Sequence, residues 1–215
     1  VTPDRRTASS LWWAFVAGIL IAVIGGLFWA VADDPEYRLK EWLAFGRYHH
    51  FDAEIAQAST RYGVPPELIR AVIWRESRFH SEQVGEHGER GLMQITEGAA
   101  SDWAKAEKIE TFVPTDLFDP KVNIEVGTWY LKQALQHWGD RDDPVPFALA
   151  EYNAGRSRVN RWVKESQSGQ PVTASDLTAK MDFPSTRRYL DTIIARYEFY
   201  RLRNSDGGLI VSPER

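Results

Sequence analysis

Glu76 stands where a surface glutamate does not belong. Between Pro65 and Phe79 the apolar residues Ile69, Val72 and Ile73 fall at helical spacing i, i+3 and i+4, and the i+7 position of that stripe is Glu76. A carboxylate there faces the core. Burial disfavours the charged form, so this glutamate is expected to keep its proton toward neutral pH, as a general acid must. The competing reading places Glu76 at a frayed helix end, solvated or paired with Arg75 or Arg78, because structural ion pairs perturb carboxylates too.

The residues that follow extend the pattern. Ser77, Arg78 and Phe79 lead into a polar loop punctuated by Gly85, Gly88 and Gly91, which ends in Leu92, Met93, Gln94 and Ile95. Asn123 and Ile124 come next with Gly127, Tyr130 and Leu131, then Ala150 to Gly155 reading Ala-Glu-Tyr-Asn-Ala-Gly, then Phe183 to Leu190 reading Phe-Pro-Ser-Thr-Arg-Arg-Tyr-Leu. Four motifs in this order, over roughly residues 52–203, resemble the catalytic domain of the soluble lytic transglycosylase family, relatives of goose-type lysozyme that cleave the glycan strands of peptidoglycan.

The resemblance implies a lysozyme-like domain in which one glutamate, Glu76 here, serves as acid and then base. It also implies cleavage of the MurNAc–GlcNAc β-1,4 bond without water. The sugar's own hydroxyl attacks, the N-acetyl group assists the charged centre, and a 1,6-anhydroMurNAc end is left. Ser77, Met93, Gln94, Tyr152, Asn153 and Tyr189 are the substrate-binding residues that it implies. Their own chemistry leaves plainer readings open: Ser77 as a helix-end residue, Met93 as core filler, Asn153 ahead of a left-handed cap at Gly155, and Tyr189 packed on Tyr197 and Phe199. The chain departs from the family at two places. Gly85 stands where many members have serine, and Ser185 where many have glutamate, so contacts of those side chains do not carry over. Glu86 and Glu89 add loop carboxylates that could raise the proton affinity of Glu76 or hold a water, or could simply be solvated.

Alternatives to this activity are a goose-lysozyme-type hydrolase of the same polymer, favoured by a loop carboxylate holding water, and a non-catalytic peptidoglycan-binding or secretion-assembly protein, whose mark would be loss of the acid. A net charge of −4 gives no reason to expect nucleic acid. The absence of cysteine removes disulfides, thiolate metal sites and a cysteine nucleophile together. His80, Glu86 and His87 lack the helix spacing of a metal site, and the glycine loop lacks a phosphate-binding Lys-Ser/Thr ending, so no metal or cofactor is expected. Trp103 and Trp162 could stack on sugars or fill the core.

The elements that must position these residues read as all-α, because alternation of period two is almost absent. Helices are predicted over about 52–62, 65–79, 97–108, 120–138, 144–152, 156–166 and 184–203, with Asp52 as a cap and Gly63 as a stop. Ahead of them, 22 residues from Leu11 to Ala32 carry no charge. At about 1.5 Å per residue such a helix crosses a hydrocarbon core of roughly 30 Å. Arg5 and Arg6 before the run and Asp33, Asp34 and Glu36 after it put residues 1–10 in the cytoplasm and the domain in the periplasm, anchored to the inner membrane. Cleavage after Ala32 as a signal peptide is the other reading. Ala14, Gly18, Ala22, Gly26 and Ala30 recur every fourth residue, a row that would admit a partner helix in lipid. Residues 33–51 read as a juxtamembrane helix or linker, 52–203 as the catalytic domain and 204–215 as a flexible tail.

Overall fold

The computed structural model describes residues 13, 16–20, 22–23, 25–26, 46–166 and 171–205. Packing divides the chain into two units, residues 1–47 and 48–215. In the first, the described residues 13, 16–20, 22–23 and 25–26 are helical. Among the described residues no helix is long and apolar enough to cross a membrane. The anchor expected over 11–32 falls largely outside them, as do Ala14 and Ala30 of the small-residue row and most of the helix expected over 33–51. A 3-10 turn, Arg47–His49, is what the described end of that last segment forms.

The second unit is all-helical in its described residues, whose only extended pairings are isolated bridges of Arg90 with Val84 and with Ile95. Its helices are α1 (Asp52–Tyr62), α2 (Pro66–Ser77), α3 (Glu97–Ala106), α4 (Pro120–His137), α5 (Val145–Ala154), α6 (Arg156–Ser166), α7 (Ala174–Lys180) and α8 (Pro184–Ser205). A 3-10 turn, Pro114–Phe118, leads into α4.

Helix α2 is the central one. Pro65 and Pro66 start it, proline being suited to a first turn whose N–H groups have no helical partner. Leu68, Ile69, Ala71, Val72 and Ile73 are all fully buried, far beyond one amphipathic face, because α8 packs along α2 on one side and α1 on another. Asp52 does not cap α1 as expected; Phe51 holds the cap position and makes no side-chain cap bond. The Asp52 carboxylate instead accepts hydrogen bonds from His49 Nδ1 at 3.3 Å and from the buried guanidinium of Arg70 in α2. Burial works against its charge, but the His49 hydrogen bond and the Arg70 charge outweigh it and hold Asp52 below its ordinary value.

The end of α2 is fixed by two consecutive left-handed residues, Arg78 (φ 53°) and Phe79 (φ 61°). Without glycine, each conformation costs about 1–2 kcal/mol. Tertiary contacts impose them: the Arg78 guanidinium lies 3.6 Å from the Trp74 ring centroid and donates to the Trp74 carbonyl, while Phe79 is buried against Tyr48 at 5.1 Å. The chain is thereby turned sharply into the loop after Glu76.

That loop is gripped at its far end by Asn123 of α4, which is fully buried. Its Oδ1 accepts from the Met93 N–H at 2.8 Å, and its Nδ2 donates to the carbonyls of Arg90 and Leu117, each at 2.8 Å. Gly91 is required beneath it, because at φ 75° a Cβ would stand 2.3 Å from Asn123 Nδ2. Helix α5 runs two residues beyond the predicted Tyr152 and closes at Gly155 with φ 84° and ψ 148°. Positive φ is as expected, but the extended ψ departs from a left-handed cap and launches α6 at once. Helix α7 was not foreseen from apolar periodicity, being only seven residues long; its mark is the Thr173/Asp176 capping box.

Asn123→Ala should lose about 2–3 kcal/mol of stability, because it leaves the Met93 N–H and the Leu117 carbonyl without partners, while the Arg90 carbonyl keeps only the Ile95 N–H. Denaturant unfolding measures this, and a loss below about 1 kcal/mol would show that the loop is held by other means.

Candidate active site

Glu76 occupies the last turn of α2, where the buried stripe predicts it. Its carboxyl meets α8, which brings Tyr189 from 113 residues away to donate an O–H hydrogen bond to Glu76 Oε1 at 2.6 Å. The Tyr189 side chain is buried, and Arg75 lies over its ring at 5.5 Å. Arg78 is turned back onto Trp74. The solvated or ion-paired alternative for Glu76 is therefore not what the fold adopts.

Burial pushes the Glu76 carboxyl up from 4.5 to about 7, against the lowering effects of the Tyr189 hydrogen bond and the Arg75 charge and with a further raising effect from Glu89. Burial also raises Tyr189 well above its ordinary value, as does the adjacent Glu76. Tyr189 thus remains a donor while Glu76 exchanges its proton. A carboxyl half protonated near neutrality, with part of its surface open, can deliver and take back a proton.

Beside it lies a groove of about 640 Å³ whose walls include Gln94, Asp102, Trp129, Tyr130 and Tyr152. Tyr152 joins groove to acid: its O–H donates to the Met93 carbonyl at 2.9 Å, and its pKa is raised well above the ordinary value by burial first and by Glu76 second. Gln94 sits at φ 50° and donates through Nε2 to the Gly91 carbonyl at 2.8 Å, which fixes the amide at the groove's edge.

The other residues singled out in the sequence are placed as follows. Met93 has no exposed surface, and its thioether packs on the α4 backbone at Gly127; only its main chain serves the site, contrary to a thioether in the cleft. Ser77 is buried with its hydroxyl on the Ile73 carbonyl at 3.3 Å, so it supports the helix end. Asn153 is exposed at the end of α5, its Oδ1 accepting from Thr186 Oγ1 at 2.9 Å. Trp103 and Trp162 are core residues, hydrogen-bonded to Tyr62 and Asp182. Glu86 is exposed and Glu89 half-buried.

Sequence reasoning did not single out several groove residues. Trp129 and the Tyr130–Asp102 hydrogen bond of 3.1 Å form part of the wall, with Tyr130 pushed up to about 12 by burial and the Asp102 charge. Glu151 accepts from Trp138 Nε1 at 2.9 Å and Arg156 Nε at 2.8 Å, bracing α5. The sequence placed Tyr130 in a helix over about 120–138, but nothing in its pattern said that this helix met a cavity.

A helical domain in which one acid of raised proton affinity neighbours Tyr152, a wall residue of a polar, aromatic groove, has the makings of a general-acid site. The model of the Transglycosylase SLT domain matches residues 53–173, more than half of the chain, and the protein belongs to that family. The soluble lytic murein transglycosylase of Escherichia coli K12 is 31% identical over 150 residues, which are 69% of this chain and 22% of that protein. Among solved structures, an inactive mutant of the lytic transglycosylase Slt from Pseudomonas aeruginosa aligns with TM-score 0.63 and 25% identity, over 74% of this chain and 24% of that one. The 70-kDa soluble lytic transglycosylase of Escherichia coli aligns with TM-score 0.65 and 28% identity, over 76% and 26%. The chain thus spans about a quarter or less of the length of these relatives.

A carboxyl that binds its proton more tightly when folded contributes stability fully below its unfolded value, here 4.5, and loses it as pH rises through about 7. Glu76→Gln should therefore match the parent in acid and exceed it increasingly between these values, by up to about 2–3 kcal/mol at pH 8. Unfolding curves across that range test this; a pH-independent difference would mean that Glu76 is not perturbed.

Proposed function

We propose that this protein is a peptidoglycan lytic transglycosylase. The observation that carries the reading is the Glu76 carboxyl, brought to about 7 by burial, held by Tyr189 and neighbouring Tyr152, which lines the groove. Family membership supports the reaction class, and the murein transglycosylase activity of the Escherichia coli relative supports the substrate.

Protonated Glu76 gives its proton to the glycosidic oxygen between MurNAc and GlcNAc, the bond from that oxygen to the MurNAc anomeric carbon breaks, and the GlcNAc hydroxyl departs. The N-acetyl carbonyl of MurNAc stabilises the anomeric carbon. Glu76, now a carboxylate, accepts the proton of the MurNAc C6 hydroxyl as its oxygen bonds to that carbon. The acid is regenerated, no water is consumed, and a 1,6-anhydroMurNAc end results. Tyr189 keeps the carboxyl aimed in both states by donating to one oxygen while the other handles the proton. Gln94, Tyr152 and Asn153 are the side chains we assign to the glycan, as hydrogen-bonding groups around the acid; Met93 and Ser77 contribute through the backbone they fix.

We assign the uncharged run of residues 11–32 to a single inner-membrane anchor with the catalytic domain in the periplasm. Its support is the length of the run and the Arg5, Arg6 and Asp33, Asp34, Glu36 flanks. Gly18, Ala22 and Gly26 lie on one helical row and suit close approach of a partner helix.

Mass spectrometry of products from purified peptidoglycan is the direct test. The protein should leave anhydro-muramyl ends, and Glu76→Gln should slow their appearance by roughly 10²–10⁴-fold while melting as a folded protein. Reducing ends would make it a hydrolase, and product independent of Glu76 would sink the mechanism.

A further inference from the structure

A hydrogen bond joins the end of α5 to the start of α8: the Thr186 hydroxyl donates to Asn153 Oδ1 at 2.9 Å. Thr186 is buried, at 4% exposure, while Asn153 is exposed. Both ends are anchored independently of that bond. The Phe183 carbonyl accepts the Thr186 N–H at 3.1 Å, and Arg158 of α6 lies over the Phe183 ring at 5.3 Å while donating to the Ala154 carbonyl at 3.0 Å. The direction of the bond follows from burial. A hydroxyl can donate to a carboxamide oxygen or accept from a carboxamide nitrogen, and the two orientations of the amide have nearly the same shape. Were Asn153 flipped, the Thr186 O–H would be buried with no acceptor among the described residues, the costly state for a polar group. Donation to Oδ1 satisfies it, and Nδ2 is then the atom of the amide turned outward.

Thr186 precedes Tyr189 by three residues in α8, so their side chains share one helical face, with Cβ atoms about 5–6 Å apart. Tyr189 holds Glu76, and Asn153 follows Tyr152, a wall residue of the groove. The anchor of the amide is thus one helical turn from the phenol that holds the acid. We propose that Thr186 is a positioning residue for glycan binding: its buried hydroxyl locks the Asn153 amide with Nδ2 toward the substrate, so that this point of the site donates a hydrogen bond and does not accept one. The matching group is an acceptor oxygen of an amino-sugar polymer, an acetamido carbonyl or a sugar hydroxyl. An ammonium, which only donates, finds no partner there. An exposed amide free to turn would have to be ordered as the glycan binds; the hydroxyl makes that selection in advance. The proposal rests on the reading that Asn153 meets the glycan.

The experiment titrates peptide-free glycan strands, prepared from peptidoglycan, into the full chain by calorimetry, with Glu76→Gln present throughout so that no turnover intervenes. Thr186→Val keeps the shape and removes the donor; it should weaken binding by about 3–10-fold. Asn153→Ala should weaken binding as much or more, and the two together should be no weaker than Asn153→Ala. Thr186→Ser, which keeps the hydroxyl, should bind within about twofold of the Glu76→Gln protein. A merely structural role for Thr186 would make the two losses additive. That additivity, unchanged binding by folded Thr186→Val or Asn153→Ala proteins, or no strand binding at all would overturn the proposal. Chemically de-N-acetylated strands tell the two oxygens apart: coupling that vanishes with them identifies the acetamido carbonyl and coupling that persists a hydroxyl, the lock being upheld in both. Release of anhydro-muramyl ends is read separately on the chain with Glu76 intact. Coupled binding without that release would uphold the lock and overturn the transglycosylase reading, and release with uncoupled binding would do the reverse.

Discussion

The meeting of α2 with α8 is the constraint on which the site depends. It buries the end of an otherwise apolar stripe and thereby removes water from the Glu76 carboxyl. It also delivers Tyr189, which holds that carboxyl without neutralising it. A lysine or arginine in place of the phenol would stabilise the carboxylate and pull its proton affinity down. A phenol whose own proton is secured by burial supplies direction at a smaller electrostatic cost.

Around this contact the fold uses main-chain grips more than side-chain recognition. Asn123 holds Arg90, Met93 and Leu117 through their amides and carbonyls, and Tyr152 reads the Met93 carbonyl from the other side. The Gly91–Gln94 turn is thus clamped between α4 and α5, and Gln94 inherits a fixed place although its own conformation is left-handed. Backbone strain at Arg78, Phe79 and Gln94 brackets the loop, a cost that persists because buried contacts overdetermine each position.

Much of this was legible in the chain. Glu76 declared itself because a charged residue interrupted a periodic apolar stripe, and the helices predicted from 120 and 156 begin at Pro120 and Arg156. What was hidden depends on distance in sequence. Tyr189 offered a phenol, but whether it packed on its own helix or crossed to Glu76 was decided by the docking of α8. Met93 read as a cleft residue by family likeness, and the small volume beside Gly127 drew its thioether into the core instead. Asp52 looked like a cap and became the partner of a buried arginine, since Arg70 needed a charge more than α1 needed its first N–H satisfied. Gly155 had the right sign of φ and an unexpected ψ, which no local pattern specifies.

The separation of Glu76 and Tyr189 along the chain has a temporal side. A ribosome releases α2 long before α8, so during synthesis Glu76 belongs to an incomplete unit with nothing to cover it. In that state it is an ordinary solvated carboxylate. The tightly held proton comes into being only when the last helix docks, which makes chemical competence a late event in the life of each molecule and ties it to completion of the whole unit.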